Sequence, residues 1–234
     1  MGRTIAIGDI HGCSEALRTL LKTIRPQSED TIVTLGDYID RGPNSRDVVE
    51  QILELRNQCE LITLLGNHEL MVLLAREDPE QLGWWETCGG AATLLSYEDT
   101  VESIPESHFE FFESCPLAYE TDTNIFVHAN YEASIPMDEQ NDQVLLWRHL
   151  EPGQFPTRHV SGKTVIVGHT PQVDGEVLDL GHLICIDTYC FGTGWLTAMD
   201  VDTGEIWQAD QDGILRADKE KAETEEQQAR ATDD

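Results

Sequence analysis

The sequence predicts an α/β protein in which one sheet grows from βαβ units and a second sheet packs on it. Three observations carry this. A strand–turn–helix rhythm recurs three times in the first seventy residues, the segment 80–116 reads as mainly helical, and strands dominate from 117 onward.

The first unit is the apolar run Thr4–Ile7, a Gly-Asp turn, and a helix with Leu17, Leu20, Leu21 and Ile24 at helical spacing, Ser14 being its N-cap candidate. The second is Thr31–Leu35, a second Gly-Asp turn, and a helix carrying Val49, Ile52 and Leu53 with Ser45 as N-cap candidate. Leu61–Leu65 leads through Gly66-Asn67 into a third. Repeated βα units imply parallel strands whose outgoing turns gather at one sheet edge, where α/β proteins place their sites. The middle segment holds Trp84-Trp85, read as core or lid packing, and Gly89-Gly90. Beyond it, strands are expected at Leu117–Glu120, Asn124–His128, Thr164–Val167 and Leu183–Asp187. A hairpin follows, Leu196–Val201 and Glu205–Gln208 around Asp202-Thr203-Gly204.

The 234 residues carry 15 basic against 44 acidic side chains, a formal charge of −29. Such a surface repels a nucleic-acid backbone or an anionic membrane, so neither is expected as a partner. With 40% hydrophobic residues the chain can still build a core. No apolar run approaches the ~20 residues that span a bilayer, and the N-terminus lacks a secretory apolar stretch. Six scattered cysteines without a C-x-x-C pair suit a reducing compartment, so a cytoplasmic location is expected; the chain is also expected to be a monomer. One domain over 1–216 is the simplest division, with the acidic tail 217–234 expected to be disordered, or at most a solvated helix in its first half.

The informative residues stand just past the strands. They are Gly8-Asp9-Ile10-His11-Gly12, Gly36-Asp37-Tyr38-Ile39-Asp40-Arg41-Gly42, Gly66-Asn67-His68-Glu69, His128 after Val127, and His169 after Val167-Gly168. One Gly-Asp is an ordinary turn, but five polar sites after apolar strands are not explained by turn preferences alone. Carboxylate and imidazole donors converging on one edge have the stoichiometry of two divalent ions, Mn²⁺ first and Fe or Zn²⁺ as alternatives.

GDIHG, GDYIDRG and GNHE, followed by two strand-terminal histidines, resemble the signature of the metallophosphoesterases of the phosphoprotein phosphatase family. The likeness covers about residues 4–200 and, through Trp84, Gly89-Gly90, Thr93-Leu94 and Ser96-Tyr97, is similar to the bacterial and phage-type branch. It implies an αββα sandwich: two packed mixed β-sheets flanked by helices. Carried onto this chain, it implies one ion held by Asp9, His11 and bridging Asp37, and a second held by Asp37, Asn67, His128 and His169. Arg41 and Arg148 of Leu146-Trp147-Arg148 are implied to bind phosphate, His68 to act as general acid and Asp40 to orient it. A phosphoprotein or small phosphoester would then be hydrolysed by direct attack of a metal-bridging hydroxide.

Two departures from the pattern bear on specificity: Ala129-Asn130 after His128, and Tyr189, whose ring is expected near the site. His108, His149, His159 and His182 are read as surface or structural residues, His149 drawing notice for its place beside Arg148. The rival readings are a symmetrical bis(5'-nucleosyl)-tetraphosphatase, against which Asp40 and Glu69 argue, and an inactive metal-binding module.

Overall fold

The computed structural model describes residues 2–222 and 224. The three expected βα units form as β1 (Thr4–Ile7), α1 (Ser14–Ile24), β2 (Thr31–Thr34), α2 (Ser45–Leu55), β3 (Glu60–Thr63) and α3 (Asn67–Glu77). Short helices fill the middle: α4 (Leu82–Trp85), α5 (Ala91–Ser96) and α6 (Glu106–Glu113), with a π-helical turn at Glu86–Gly90 joining the first two. The second half holds β4 (Ala118–Glu120), β5 (Asn124–Val127), α7 (Asp142–Trp147), β6 (Thr164–Val167), β7 (Leu178–Asp179), β8 (Leu183–Cys185), β9 (Asp187–Thr188), β10 (Trp195–Asp200) and β11 (Ile206–Ala209).

Two mixed sheets result. The first has order β11-β10-β1-β2-β3, with β9 also on β10, and the second β4-β5-β6-β8-β7. In the first, β1, β2 and β3 are parallel while β10 runs antiparallel to β1. In the second, β5, β6 and β8 are parallel and β4 and β7 are antiparallel edges.

The layers follow from the two-residue period of a strand. Ile5, Ile7 and Ile32 join the core beneath the helices, whereas Ala6 and Val33 face the other sheet. Likewise Phe126 and Ile166 point into the inter-sheet core, and Ile125, Val127, Val165 and Val167 point out to Tyr131, Leu145 and Leu150. Both faces of each central strand are covered, which is why these strands read as continuous apolar runs.

The structure corrects two local expectations. Cys13 and Asn44 occupy the N-cap positions assigned to Ser14 and Ser45, and the Asn44 side chain accepts the Asp47 amide. The predicted strand Leu183–Asp187 is broken at Ile186, because the chain there leaves the second sheet and joins the first. Residues 216–222 of the acidic C-terminal stretch are helical, and the remainder of the tail, apart from 224, lies outside the described residues. No helix among the described residues is long and apolar enough to cross a membrane.

Candidate metal centre

The ends of β1 and β2 are laced together before any side chain takes part. The amides of Ile10 and His11 both donate to the Asp37 carbonyl (3.0 and 2.8 Å), and Gly12 donates to that of Tyr38 (2.9 Å). Glu69, buried in the first turn of α3, accepts the amides of Asp37 (2.9 Å), Tyr38 (2.8 Å), Ile39 (3.3 Å) and Gly66 (3.1 Å). One carboxylate thus braces two loops. Gly168 allows the second sheet to close in, since a Cβ there would lie 1.9 Å from Asp9 Oδ1. His11, Asp37, Asp40, Arg41 and His169 all adopt positive φ, a backbone cost that tertiary contacts must offset and that clusters at functional sites.

Nine of the ten sequence-proposed residues come together. Asp37 Oδ2 lies 3.4 Å from His11 Nε2, and its Oδ1 lies 3.5 Å from His128 Nε2. Asn67 Oδ1 is 2.9 Å from His128 Nε2 and 3.0 Å from His169 Nδ1, and those two nitrogens are 3.1 Å apart. Proton accounting makes this cluster informative. The Nδ1–H of His128 donates to the Leu35 carbonyl (2.8 Å), and the Nε2–H of His169 donates to that of Trp147 (3.2 Å). Three lone-pair atoms therefore face one another with no proton between them, an arrangement that a cation satisfies.

His11 is set the same way, its Nδ1–H donating to Ile39 (2.9 Å) and leaving Nε2 inward, where Arg41 donates to it at 2.8 Å. Asp9 Oδ2 accepts the His169 amide (2.9 Å), but its buried Oδ1 has no hydrogen-bond partner. His11, Asp37 and His68 form one set of donors within metal-binding reach, and Asp37, His128 and His169 another, so Asp37 is shared. The donor set, the proton-free cluster and the orphaned Asp9 oxygen all fit two divalent ions.

The electrostatics agree. Burial lowers the pKa values of His11, His128 and His169, the last to about 3, keeping these imidazoles neutral and able to coordinate. Burial alone would raise Asp37, but His128, His68, His11 and His169 face it, and positive charge among them outweighs burial and draws the carboxyl well below its usual range. Asp9 is pushed well above its usual value by burial and by repulsion from Asp187 and Asp37.

His68 stands beside this cluster. Its Nδ1–H donates to Asp40 Oδ2 at 2.6 Å, leaving Nε2 on the metal-cluster side, 3.9 Å from Asp37 Oδ2. Asp40 is fixed in turn by Trp85 Nε1–H (2.8 Å to Oδ2) and the Thr93 hydroxyl (2.6 Å to Oδ1). Its amide donates to Thr93 Oγ1 (2.8 Å) and Ser45 Oγ (3.0 Å). Trp85 is wholly buried, as core packing requires, while Trp84 stacks on Trp147 with centroids 5.9 Å apart. Sequence reasoning missed the anchoring role of Trp85 and Thr93. They meet only because the π-helical turn between α4 and α5 sets them on one side.

Arg148 is the residue not brought in. It ends α7 in an extended conformation, half exposed, and pairs with Glu132 at 3.4 Å. Successive side chains alternate along extended backbone, so 148 points away while the next ring, His149, stacks on His169 with centroids 4.4 Å apart. Asn130 holds that turn through the His149 carbonyl (3.2 Å). The ring beside the site is Phe191 rather than Tyr189. It packs edge-on to His11 (4.9 Å) and under the Arg41 guanidinium (4.6 Å), and Tyr189 backs it at 4.8 Å. His108, His159 and His182 make structural hydrogen bonds, to Tyr97, Ile135 and Pro156 respectively.

Residues 2–198 match the family model for calcineurin-like phosphoesterases. The serine/threonine-protein phosphatase 1 of Salmonella typhimurium is 34% identical over 134 residues, 55% of this chain and 59% of that protein. The symmetrical bis(5'-nucleosyl)-tetraphosphatase of Burkholderia pseudomallei is 31% identical over 109 residues, 47% of this chain and 38% of that one. The match thus spans less than two thirds of either relative. Among solved structures, a diadenosine tetraphosphatase (so assigned without proof of activity) superposes with a TM-score of 0.68 at 25% identity, covering 89% of this chain and 93% of that one.

Proposed function

The chain belongs to the calcineurin-like phosphoesterase family, and from that premise we propose that it is a dinuclear-metal phosphomonoesterase acting as a serine/threonine protein phosphatase. Residues 1–216 serve as its catalytic domain. Asp9, His11 and Asp37 hold one ion, and Asp37, Asn67, His128 and His169 hold the other, Mn²⁺ in each case. The observation that carries this reading is the proton-free meeting of Asn67 Oδ1, His128 Nε2 and His169 Nδ1 within 3.1 Å. Two such ions, when bound, supply an acidified water as the attacking group near neutral pH.

The chain's own residues then complete the chemistry. Arg41 matches phosphoryl oxygens with its fork and stabilises charge as it spreads. In this structure its guanidinium rests on His11 Nε2 at 2.8 Å. An ion and a guanidinium cannot share that lone pair, so with the site loaded Arg41 would be released from His11 and available to phosphoryl oxygens. His68, oriented by Asp40 at 2.6 Å, donates the proton that the leaving alkoxide needs. Arg148 is assigned no part, because its side chain pairs with Glu132.

A second reading, dinucleoside tetraphosphate cleavage, is favoured by the tetraphosphatase relative and the structural neighbour. Mn²⁺-loaded protein assayed with a phosphoserine peptide, phenyl phosphate and diadenosine tetraphosphate separates the two. Turnover of the phosphopeptide and the aryl ester, lost in His68→Asn, is expected. Cleavage of the dinucleotide alone rejects the phosphatase reading.

A further inference from the structure

Asp187 has no part in the chemistry above, yet it is the second buried carboxylate with an unpaired oxygen. It is 2% exposed; Oδ1 accepts the Tyr189 amide (3.1 Å), whereas Oδ2 has no hydrogen-bond partner. Among the described residues, Asp9 Oδ1 is the other buried side-chain atom left so. The two sit on neighbouring segments. The chain before Asp187 runs so close to Gly8 that a Cβ there would meet the Ile186 carbonyl oxygen at 2.5 Å, and the charge on Asp187 acts on Asp9 more strongly than that of Asp37 does.

The backbone leaves the carboxylate no route to solvent. Ile186 donates to Val167 in the second sheet (3.0 Å), and Asp187 already pairs with Leu196 in the first. Its carbonyl accepts the Gln172 amide (2.8 Å), and Tyr189 closes the turn at positive φ. Asp187 is therefore pinned at the seam between the sheets. A third carboxylate beside Asp9 and Asp37, with one oxygen unsatisfied and Arg41 as the neighbouring cation, is costly in its ionised form, which burial disfavours and which further positive charge would stabilise.

We propose that Asp187 is a positioning residue of the metal centre: its free oxygen accepts a hydrogen bond from the hydration shell of the ion held by Asp9, His11 and Asp37, and its charge strengthens that ion's binding. This rests on the two-ion reading given above. Outer partners of this kind typically change metal affinity 10- to 100-fold.

The test is Mn²⁺ titration by calorimetry together with thermal unfolding, on the metal-stripped full chain and on Asp187→Asn. Wild type is expected to bind two Mn²⁺, and the variant to bind one of them ten- to a hundredfold more weakly. Without metal, the variant is expected to unfold at a higher temperature than wild type, because a like charge beside Asp9 and Asp37 is gone. A merely structural role predicts the reverse. Unchanged Mn²⁺ affinity with a lowered metal-free Tm overturns the proposal. Asp187→Ser, which keeps an oxygen for the Tyr189 amide, guards against misfolding, and failure of both variants to fold assigns Asp187 to the fold and overturns the proposal too. If wild type itself binds no Mn²⁺, the two-ion reading fails instead.

Discussion

Asp40→Asn separates the charge behind His68 from the architecture around it. The Asp40 carboxylate receives His68 Nδ1–H and Trp85 Nε1–H on Oδ2 and the Thr93 hydroxyl on Oδ1. An asparagine with its amide oxygen in the Oδ2 position keeps the first two bonds and the tautomer of His68. Its NH₂ then faces Thr93 Oγ1, which turns its own proton to Ser45 Oγ, 2.9 Å away. The second N–H of that amide and the displaced Ser45 hydroxyl proton lose a buried acceptor, so the variant should also lose about 1–3 kcal/mol of stability. What disappears is the negative charge beside the imidazole. At roughly 4 Å between charge centres and an effective dielectric constant near 20, that attraction amounts to about 4 kcal/mol. The neutral hydrogen bond that remains recovers about 1–1.5 kcal/mol, leaving about 2–3 kcal/mol, a 30- to 150-fold fall in kcat. The assay compares Mn²⁺-loaded wild type and variant on phenyl phosphate and p-nitrophenyl phosphate. The full loss is expected on the phenyl ester, whose leaving group needs a proton, and less than about threefold on the nitrophenyl ester. An equal loss on both esters would place Asp40 in the metal architecture instead and refute the reasoning, as would no loss on either.

Other perturbations test neighbouring claims. Gly89 has φ 122°, and a Cβ there would lie 2.7 Å from Arg41 Cγ, so Gly89→Ala should cost about 1–3 kcal/mol and displace the guanidinium. Its KM for phosphate esters is expected to rise tenfold or more, and an unchanged KM would show that Arg41 does not bind substrate. Asp30, far from the site, supplies a pH signature. Burial alone would raise its pKa, but hydrogen bonds from the Arg3 side chain (2.5 Å) and amide and from the Gln27 amide lower it to about 2. A depressed carboxyl stabilises the native state above its unfolded pKa near 4 and loses that contribution as pH falls through about 2. Asp30→Asn should therefore cost about 1–2 kcal/mol in urea unfolding at pH 7 and almost nothing near pH 2. A pH-independent difference would sink the ion-pair account.

The sequence alone determined the repeated βα units, the gathering of their turns at one edge, and the donors of the candidate metal centre. These were legible because each donor sits within a few residues of an apolar strand end, where local patterning already dictates the backbone path. Asp9, His11, Asp37, Asn67, His128 and His169 are all of this kind. Tertiary structure decided what lies behind and around them. Thr93 and Trp85 reach Asp40 through a π-helical turn that no short-range pattern announces. Arg148 faces outward and His149 inward because an extended helix exit alternates their sides. Phe191 rather than Tyr189 takes the place against His11 and Arg41. Asp187 looked like the last residue of a strand, and only the crossing from one sheet to the other buries it beside Asp9. Short-range patterning sets where a strand stops and which donor follows. Which distant group completes that donor's environment depends on how two sheets and their connections pack, and that is settled only when the whole chain closes.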